Sequence, residues 1–519
     1  MGARLIIVSN RVAVPDPAGA PLAGGMAVAV KAALKNRDGL WFGWSGKVTD
    51  EPTGEPRTVD INKVTYVLID LSKTDVQEYY NGLANSVLWP ILHYRVDLQE
   101  YSRADASGYM RVNRMFADRL SALVGVSDIV WIHDYHLMLL ARELRSCGHR
   151  NRIGFFLHTP CAPPDVLQTL PHHREILGGL TYCDLIGFQT ENDRDNFAHY
   201  LTTQGGTQTR GGYEFDGRFV QLGAFPVSIE TKAYMRLARN AGRSAMLALV
   251  RESLGGNKLV LGVERLDYSK GIPDRIKGFE RFLELNPEWH GKVTFLQLTP
   301  KSRSDIKQYG DIESEVTGLI GKVNGRFGDA AWTPIRYVNR SYSRTVLAGL
   351  YRAADVAMVT PLRDGMNLVA KEYLAAQDPE KPGVLMLSQF AGAAKELDRA
   401  LIVNPHETDA VAAALKRALE MPLEERQERH APMLAHLLQD DIKKWAKSYL
   451  SALAGGLPKH SLLGGIWSLL SAGSDPALLA FRRAANTYRA NGADAEKRLI
   501  PAAVSLRAPD VRGPSSPFR

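Results

Sequence analysis

The segment KLVLGVERLDYSKGIPDRIKGFERFLEL, residues 258–285, carries the pattern on which our prediction of the fold depends. Its apolar run Leu259–Val263 has the length and composition of a buried strand, and the stretch Arg275–Leu285 has helical periodicity. A polar loop joins the two. A buried strand that leads through a polar loop into a helix is the repeating unit of a parallel α/β sheet.

The same alternation of apolar runs and helical stretches recurs along the chain. Further strand candidates are Leu5–Val8, Ile129–Ile132, Ile153–Leu157, Leu185–Phe188, Val293–Leu298, Val356–Val359 and Val384–Leu387, and further helix candidates are Met110–Leu123, Glu191–Leu201 and Ala410–Leu419. Because the pattern starts afresh near Lys258, we predict an α/β protein of two doubly wound, Rossmann-like domains, residues 1–240 and 241–435, facing each other across a cleft. Asp440–Leu453 has the pattern of an amphipathic closing helix within residues 436–454.

Length and composition exclude several classes of protein. The chain has 519 residues with ordinary globular composition, too many for one compact core. Its three cysteines, Cys147, Cys161 and Cys183, show no C-x-x-C spacing, so neither a disulfide framework nor a zinc site is indicated. No signal peptide or apolar membrane span is recognisable, and we therefore expect a cytoplasmic protein without a membrane partner.

The net charge of +8 is unevenly distributed. Residues 455–519 hold nine Lys/Arg against four Asp/Glu, so this tail accounts for +5 of the total. Its charges are scattered rather than clustered, which favours a solvated basic tail over a nucleic-acid partner. We expect the tail to be partly disordered, with a helix candidate at Pro476–Ala490 and a disordered last dozen residues.

Polar residues follow six of the predicted strands. In open α/β sheets ligands bind outside the carboxyl ends of the strands, so these positions are candidates for a site, although each alone also fits a helix cap or a turn. The segments are Ser9-Asn10-Arg11, His133-Asp134, His158, Glu264-Arg265, Lys301-Ser302-Arg303 and Arg363-Asp364-Gly365. Together with Lys270, the arginines at 11, 265 and 303 supply the cations expected around ligands with several phosphates, such as a nucleotide diphosphate and a phosphorylated acceptor.

Two further features fit phosphate and sugar binding. Gly24-Gly25 precedes the helix candidate Met26–Leu34, where backbone N–H groups can approach a phosphate, although an ordinary tight turn would look the same. Asp364 and Glu372 lie eight residues apart and can reach sugar hydroxyls and a ribose, although a helix-terminal Asp and a solvated Glu also fit.

The sequence lacks the motifs of several other enzyme classes. There is no dinucleotide fingerprint, Walker A motif or G-x-S-x-G nucleophile elbow. His133 and His136 have no metal-ligand partners nearby in the sequence. A dehydrogenase and a metal-dependent hydrolase are therefore disfavoured, and we expect neither a cofactor nor a metal.

At these residues the chain closely resembles the trehalose-6-phosphate synthases, retaining glycosyltransferases of the two-domain GT-B fold. The resemblance extends from about Arg4 to Leu453. Its most specific segments are Val8–Arg11, Trp41–Gly46, Leu88–Pro90 with His93–Arg95, Trp131–His136, Val263–Gly271 and Thr360–Glu372.

The resemblance implies transfer of glucose from a nucleotide-glucose to glucose 6-phosphate with retention of configuration. It implies no enzyme nucleophile, the donor phosphate taking the acceptor's proton. Arg11, Tyr80 and Arg303 would hold the acceptor's phosphate, and Trp89 and Asp134 its sugar. The donor would be held by Gly24, Gly25, Arg265 and Lys270 at the diphosphate, by Tyr342 and Leu368, Val369, Ala370 and Lys371 at the nucleotide, by Glu372 at the ribose, and by His158 and Asp364 at the glucose.

One departure from the family lies beside these residues. In His158-Thr-Pro-Cys-Ala-Pro-Pro, Cys161 and Ala162 stand where the family commonly has phenylalanine and a second proline. This puts the packing of the loop in doubt, and we interpret Cys161 as a small filler rather than a reactive thiol.

Some alternatives stay open at this point. A related synthase with glycerol 3-phosphate as acceptor would carry a similar phosphate clamp, and a non-catalytic subunit that senses sugar phosphate is a further alternative. The donor base, uracil, guanine or adenine, and a homo-oligomeric state are undecided. The tail is too short for a fused phosphatase domain and lacks a D-x-D-x-[TV] motif, so a separate phosphatase would complete the pathway.

Overall fold

The computed structural model describes residues 4–15, 25–34, 37–51, 55–301 and 307–455. The predictions made for Gly24, Arg303 and the tail beyond Gly455, including the helix candidate Pro476–Ala490 and the disordered last dozen residues, lie outside the described residues.

The first sheet has ten strands in the order β3-β4-β2-β1-β5-β6-β7-β10-β9-β8. Its strands are β1 Leu5–Arg11, β2 Gly39–Thr49, β3 Arg57–Ile61, β4 Val64–Ser72, β5 Ile129–His133, β6 Ile153–Phe156, β7 Leu185–Phe188, β8 Thr207–Thr209, β9 Gly212–Phe215 and β10 Arg218–Ala224. The strands from β4 to β10 in this order are parallel, and β3, β9 and β8 add antiparallel edges. Ser9 lies opposite His133, and His133 opposite Phe156, so the polar ends of these strands meet at one edge.

The second sheet has six strands, all parallel, in the order β13-β12-β11-β14-β15-β16. They are β11 Lys258–Val263, β12 Val293–Leu298, β13 Ile335–Val338, β14 Val356–Val359, β15 Val384–Ser388 and β16 Leu401–Val403. All eight predicted strands are present, and the predicted α/β class with two mainly parallel sheets is confirmed. The domain boundary at residues 240 and 241 stays a prediction.

Helices cover the faces of both sheets, as expected where crossover connections link parallel strands. They are α1 Gly25–Leu34, α2 Lys73–Asp75, α3 Trp89–Leu92, α4 Arg103–Ser121, α5 Leu140–Ser146, α6 Pro164–Leu167, α7 His173–Gly178, α8 Glu191–Thr203, α9 Thr231–Ala241, α10 Ala245–Leu254, α11 Ile272–Leu285, α12 Lys307–Phe327, α13 Arg344–Ala353, α14 Leu368–Ala376, α15 Thr408–Glu420, α16 Leu423–Gln439 and α17 Ile442–Leu453. None of them, within the described residues, has the length and hydropathy of a membrane span.

A π-helix, Val76–Leu88, leads into α3. In its wider turns, residues five positions apart in the sequence are neighbours. Asn85 and Tyr80 are such a pair, and the Asn85 side-chain amide donates to the Tyr80 carbonyl oxygen at 2.7 Å. π-Helical turns are rare and concentrate at functional sites. This π-helix contains Tyr80 and ends directly before Trp89, and both residues are among those that the family resemblance singled out.

Helix α17 lies against the first sheet, although the chain reaches it only after the second sheet is complete. The Tyr449 ring stacks on Trp131, with ring centroids 4.4 Å apart and an interplanar angle of 8°. The Tyr449 hydroxyl donates to the Phe155 carbonyl oxygen at 3.0 Å. A Cβ on Gly187 would lie 2.6 Å from the Tyr449 ring, so a glycine in β7 makes room for the helix. The amphipathic pattern of Asp440–Leu453 thus corresponds to a helix.

Candidate active site

The carboxyl ends of the two sheets face each other, and glycine permits the close approach. Gly365, in the loop after β14, is so near the loop after β6 that a Cβ would lie 2.6 Å from the Thr159 carbonyl carbon. The next residue reaches across as well, because Met366 Sδ lies 3.2 Å from His158 Nδ1. The cleft between these loops is the candidate active site.

One wall of the cleft is aromatic and belongs to the first sheet. Tyr80 stacks on the His136 ring, with centroids 5.8 Å apart, and meets Trp44 edge-on at 5.6 Å. The exposed Arg11 guanidinium at the end of β1 lies 5.7 Å from the Trp44 ring centroid. Arg11 and Tyr80 therefore both lie beside the Trp44 ring. Two residues that bind the same group of a ligand must be close together in this way.

Asp134 follows β5 in a strained backbone conformation. Its φ of 74° and ψ of 164° fall in a region that residues with a side chain rarely adopt, at a cost of roughly 1–3 kcal/mol. The conformation is held by Asp134 N donating to the Phe156 carbonyl oxygen at 2.8 Å and by Asp134 Oδ1 accepting from His158 N at 3.3 Å. Such strain concentrates where a side chain must be held for function.

Three buried imidazoles adjoin this wall, and burial keeps them neutral. Burial lowers the pKa of His158 to about 3. It lowers the pKa of His133 well below the usual range, with the neighbouring His158 contributing. The pKa of His93 falls to about 4, through burial and then the nearby Lys270 ammonium. At neutral pH these rings can accept or donate hydrogen bonds but carry no charge.

The opposite wall, from the second sheet, holds ion pairs. Lys270 Nζ lies 2.6 Å from Asp364 Oδ2, and both side chains are largely buried. Asp364 Oδ1 also accepts from the backbone N–H groups of Met366 and Asn367, at 3.3 and 3.2 Å. Burial alone would raise the pKa of Asp364, but the Lys270 charge and these hydrogen bonds together lower it. The carboxylate is thus fixed in its ionised form.

Arg265 lies between the two walls. Its guanidinium is 3.6 Å from the buried Asp267 carboxylate and 5.8 Å from the ring centroid of Trp89 in the first wall. Its side chain is 45% exposed, so it can reach a ligand in the cleft. The predicted donor cation and the predicted acceptor-side tryptophan are therefore in contact.

Helix α14 places Glu372 deeper in the second wall. Burial raises the pKa of Glu372 to about 7, and the nearby Arg344 charge and Tyr234 hydroxyl oppose that rise. Leu368 and Val369, one turn earlier, are partly buried and pack on the core of the second sheet. Their helix begins at Leu368, and the side chain of the preceding Asn367 caps it by accepting from Ala370 N at 3.1 Å.

Some of the residues predicted to bind the donor substrate make their contacts elsewhere in the protein. Ala370 and Lys371 are fully buried. Lys371 Nζ donates to the Val227 carbonyl oxygen at 2.7 Å and pairs with Glu396 at 2.6 Å, so its side chain makes its contacts inside the protein. Tyr342 accepts a hydrogen bond from Arg340 at 3.0 Å, beside the core of the second sheet.

Sequence reasoning missed three residues of the site. Met366 was overlooked inside the Asp-Gly-Met-Asn segment, where its contact with His158 is a long-range one. His133 was noted after a strand but given no role. Arg275, buried in α11, donates to Thr360 at 2.9 Å and to Lys270 O at 3.3 Å, beneath the second wall. Its place in a helix candidate gave no hint of this.

Cys161 lies in the loop after His158, beside the Asp193 carboxylate. The residue is buried, and burial raises the pKa of its thiol, with the nearby Asp193 adding to the rise. Its backbone N–H donates to Asp193 at 2.8 Å. This is the environment of an inert filler. In the described residues, no cluster of three or more His, Cys, Asp or Glu is arranged to hold a metal ion.

Comparisons with known proteins agree with this arrangement. The family model described as glycosyltransferase family 20 matches residues 17–455. A trehalose-6-phosphate synthase of Sinorhizobium fredii is 52% identical over 454 residues, which cover 87% of this chain and 98% of that protein.

Two solved structures share both the sequence and the fold. The α,α-trehalose-phosphate synthase (UDP-forming) from Burkholderia xenovorans, in complex with glucose 6-phosphate, is 46% identical with a TM-score of 0.85, covering 87% of this chain and 100% of that chain. An E. coli structure bound with UDP-2-fluoro glucose is 45% identical with a TM-score of 0.82, covering 88% and 100%.

Proposed function

This chain belongs to glycosyltransferase family 20, and on that premise we propose that it transfers glucose from UDP-glucose to glucose 6-phosphate, yielding α,α-trehalose 6-phosphate and UDP. The fold is the two-domain GT-B architecture and the protein is an enzyme. The observation that carries the proposal is the contact of Arg265 with Trp89, which joins a wall suited to a diphosphate to a wall suited to a sugar phosphate. The relatives bound to glucose 6-phosphate and to UDP-2-fluoro glucose support these two ligands.

Arg11 and Tyr80 of the first wall bind the phosphate of the acceptor, and Arg303, outside the described residues, is proposed as a third ligand. A guanidinium offers paired donors to a phosphate, and a phenol adds one more. Trp89 and Asp134 bind the acceptor's sugar, the ring by contact with a sugar face and the carboxylate by accepting from hydroxyls. The strained backbone of Asp134 supports this role because it holds the carboxylate in one orientation.

Arg265 and Lys270 bind the donor diphosphate. Backbone N–H groups of Gly24 and Gly25, which follow β1 in the sequence, are further donors in this proposal. Asp364 and His158 bind the glucose to be transferred, and Glu372 binds the ribose. Backbone groups of Leu368 to Lys371 adjoin the nucleotide, because the side chains of Ala370 and Lys371 are buried elsewhere. The Tyr342 side chain adjoins the nucleotide as well.

Catalysis then rests on positioning and electrostatics. Asp364 is engaged by Lys270 and by two backbone N–H groups, which leaves it a poor nucleophile. Arg265 and Lys270 stabilise the negative charge that develops on the leaving diphosphate. A donor phosphate oxygen takes the proton of the attacking acceptor hydroxyl, so the new bond forms on the face from which the diphosphate departs, with retention. We propose that no metal takes part, because the charges of Arg265 and Lys270 give the diphosphate the stabilisation that a metal ion would supply.

The test is direct turnover with purified protein. Glucose 6-phosphate is incubated separately with UDP-, GDP- and ADP-glucose, and the sugar product is identified by NMR. We expect trehalose 6-phosphate with UDP-glucose, unaffected by EDTA. Arg265→Ala should lower turnover by about 10²- to 10³-fold with the fold intact.

Other outcomes would assign a different function. Turnover only with glycerol 3-phosphate would establish the related synthase, and tight glucose 6-phosphate binding without turnover on any donor would establish a sensing subunit. Near-normal turnover of Arg265→Ala would refute its role. We further propose a cytoplasmic enzyme whose product is dephosphorylated by a separate phosphatase.

A further inference from the structure

Two histidines and a methionine form a row across the cleft. His133 ends β5, His158 follows β6, and Met366 lies in the loop after β14. His133 Nδ1 lies 2.9 Å from His158 Nε2, and His158 Nδ1 lies 3.2 Å from Met366 Sδ. Each of the two contacts needs one proton, and a neutral imidazole has one N–H. The position of the protons is therefore linked along the row.

The Met366 end of the row fixes the proton of His158. A thioether sulfur accepts hydrogen bonds and cannot donate one. His158 Nδ1 must therefore be the N–H that faces Met366, which leaves His158 Nε2 as an acceptor. Its hydrogen bond with His133 then requires that His133 Nδ1 carry a proton.

The opposite end leads to the same assignment independently. His133 Nε2 is buried and has no hydrogen-bond partner within the described part of the chain. The ring lies against Trp131, at 4.6 Å between centroids, and near Trp445, at 6.5 Å. Indole nitrogens only donate, so these neighbours offer no acceptor for an N–H at Nε2. A buried N–H without an acceptor is rarer than a buried lone pair without a donor, which puts the His133 proton on Nδ1.

We propose that His133 is a positioning residue for the transferred glucose: it holds His158 in the tautomer whose Nδ1–H points into the cleft, where it donates to an oxygen of the donor sugar in place of Met366 Sδ. This inference rests on the proposed function for the identity of the ligand. Met366 marks the place of the sugar oxygen, because it meets the same N–H from the opposite wall.

The exchange is favourable for two reasons. A sugar oxygen is a stronger acceptor than a thioether, so the donor can displace the methionine. The transferred sugar gains positive charge in a glycosyl transition state, so a neutral N–H is preferable to an imidazolium beside it. Burial, which lowers the pKa of both rings, keeps them neutral.

The tautomer can be observed without any turnover. The full chain is labelled with ¹⁵N-histidine, and the His158 ring signals are assigned by their loss in His158→Gln. Long-range ¹H–¹⁵N spectra distinguish a protonated Nδ1 from a protonated Nε2. We expect Nδ1–H in His158 of the free protein. In His133→Leu we expect a mixture of tautomers, because the remaining acceptor, the thioether of Met366, is a weak one. An Nε2–H tautomer in the wild-type chain would overturn the inference whatever the enzyme transfers.

Ligand binding separates positioning from general loss of structure. His133→Leu removes the donor at this position, whereas His133→Asn places an amide N–H near that of Nδ1. We expect His133→Leu to weaken UDP-glucose binding by about tenfold, the worth of one hydrogen bond to a buried group, and His133→Asn to recover most of that loss.

UDP, which lacks the glucose, is the matched control ligand. It should bind the wild-type chain and both variants alike. Weakened UDP binding, or equal losses in His133→Leu and His133→Asn, would show a merely structural role for His133. If neither the wild-type chain nor the variants bound UDP or UDP-glucose, the proposed function would be wrong. The tautomer measurement would still test the proton positions in the histidine row.

Discussion

The two walls of the cleft hold their polar groups by opposite means. The first wall is built mainly of aromatic rings: Tyr80 stacks on His136, and His133 meets His158, whose pKa burial lowers to about 3. The Arg11 cation in this wall is exposed. The second wall is built of paired ions. The buried or largely buried pairs in it and behind it are Lys270 with Asp364, Arg275 with Glu264, and Lys371 with Glu396.

This difference predicts two kinds of mutational response. A wall of rings with an exposed cation can lose a ligand-binding group without leaving a charge unbalanced in the interior. A wall of ion pairs cannot, because removal of one partner leaves the other buried without compensation. Substitutions in the second wall should therefore lower activity and stability together, and those in the first wall should mainly lower affinity.

The largest effect is expected for Lys270→Met. The substitution removes a cation from the leaving diphosphate and leaves Asp364 buried without its partner. Turnover should fall by at least about 10²- to 10³-fold, and the free energy of unfolding by about 3 kcal/mol. Steady-state kinetics and urea unfolding measure the two.

The double variant Lys270→Met/Asp364→Asn is the control for this pair. Because it removes both charges, it should regain most of the lost stability but none of the activity. Unchanged stability in the single variant would contradict the distinction between the walls.

A smaller and purely ligand-directed effect is expected for Arg11→Ala. The exposed guanidinium rests on Trp44, so its removal opens no cavity. Loss of a charged hydrogen-bond donor to a phosphate, about 1.5–3 kcal/mol, should raise the KM for glucose 6-phosphate by roughly 10- to 100-fold. Thermal stability and UDP binding should stay as in the wild type. A fall in Tm comparable to that of Lys270→Met would remove the contrast.

The face of the first sheet under α17 should instead be sensitive to packing. A methyl group added by Gly187→Ala would meet the Tyr449 ring at 2.6 Å and force α17 away from the sheet. We expect a loss of about 1–3 kcal/mol in unfolding free energy, the usual cost of overpacking. Gly321→Ala, at a glycine of α12 with open space and no positive φ, adds the same methyl group without a clash and should not lower stability. An unchanged free energy of unfolding in Gly187→Ala would mean that α17 does not depend on Gly187.

The smallest effect concerns pH and Glu372. Its pKa of about 7 is raised by burial, so the carboxylate that ribose hydroxyls require is lost as pH falls through 7. The KM for UDP-glucose should therefore rise several-fold between about pH 8 and pH 6. The effect on stability has the opposite sign: a raised pKa in the folded state stabilises the protein at low pH, and that contribution is lost as pH rises through 7.

Glu372→Gln tests both titrations at once, since the amide does not ionise. It should flatten the pH dependence of KM and of stability near pH 7. A pH profile that survives unchanged in this variant would assign the titration to another group.

The sheets were predictable from sequence because parallel strands are buried on both faces and read as apolar runs. The rule that ligands bind at their carboxyl ends led to Arg11, Asp134, His158 and Asp364 in the cleft. Helix α16, which has Pro432 inside it, and the π-helix, whose i to i+5 spacing is not the helical period, were not among the predicted elements. Tyr80 and Trp89, on helices rather than at strand ends, came from the family resemblance alone.

The pairings across the site were beyond sequence reasoning. Lys270 and Asp364 are 94 residues apart, and His158 and Met366 are 208 apart. Local spacing carries no information about such contacts, which arise only when two sheets are brought face to face. The ionisation states of Glu372 and His158 depend in turn on that burial.

The position of α17 has a consequence for how the protein is made. Trp131 and Phe156 belong to the sheet that leaves the ribosome first, yet the helix that covers them through Trp445 and Tyr449 is synthesised after the whole second sheet. At about 5–20 residues per second, that apolar face waits on the order of tens of seconds for its cover. During this interval the nascent chain exposes an aromatic surface of the kind that chaperones bind, so slowed translation after β10 should increase aggregation.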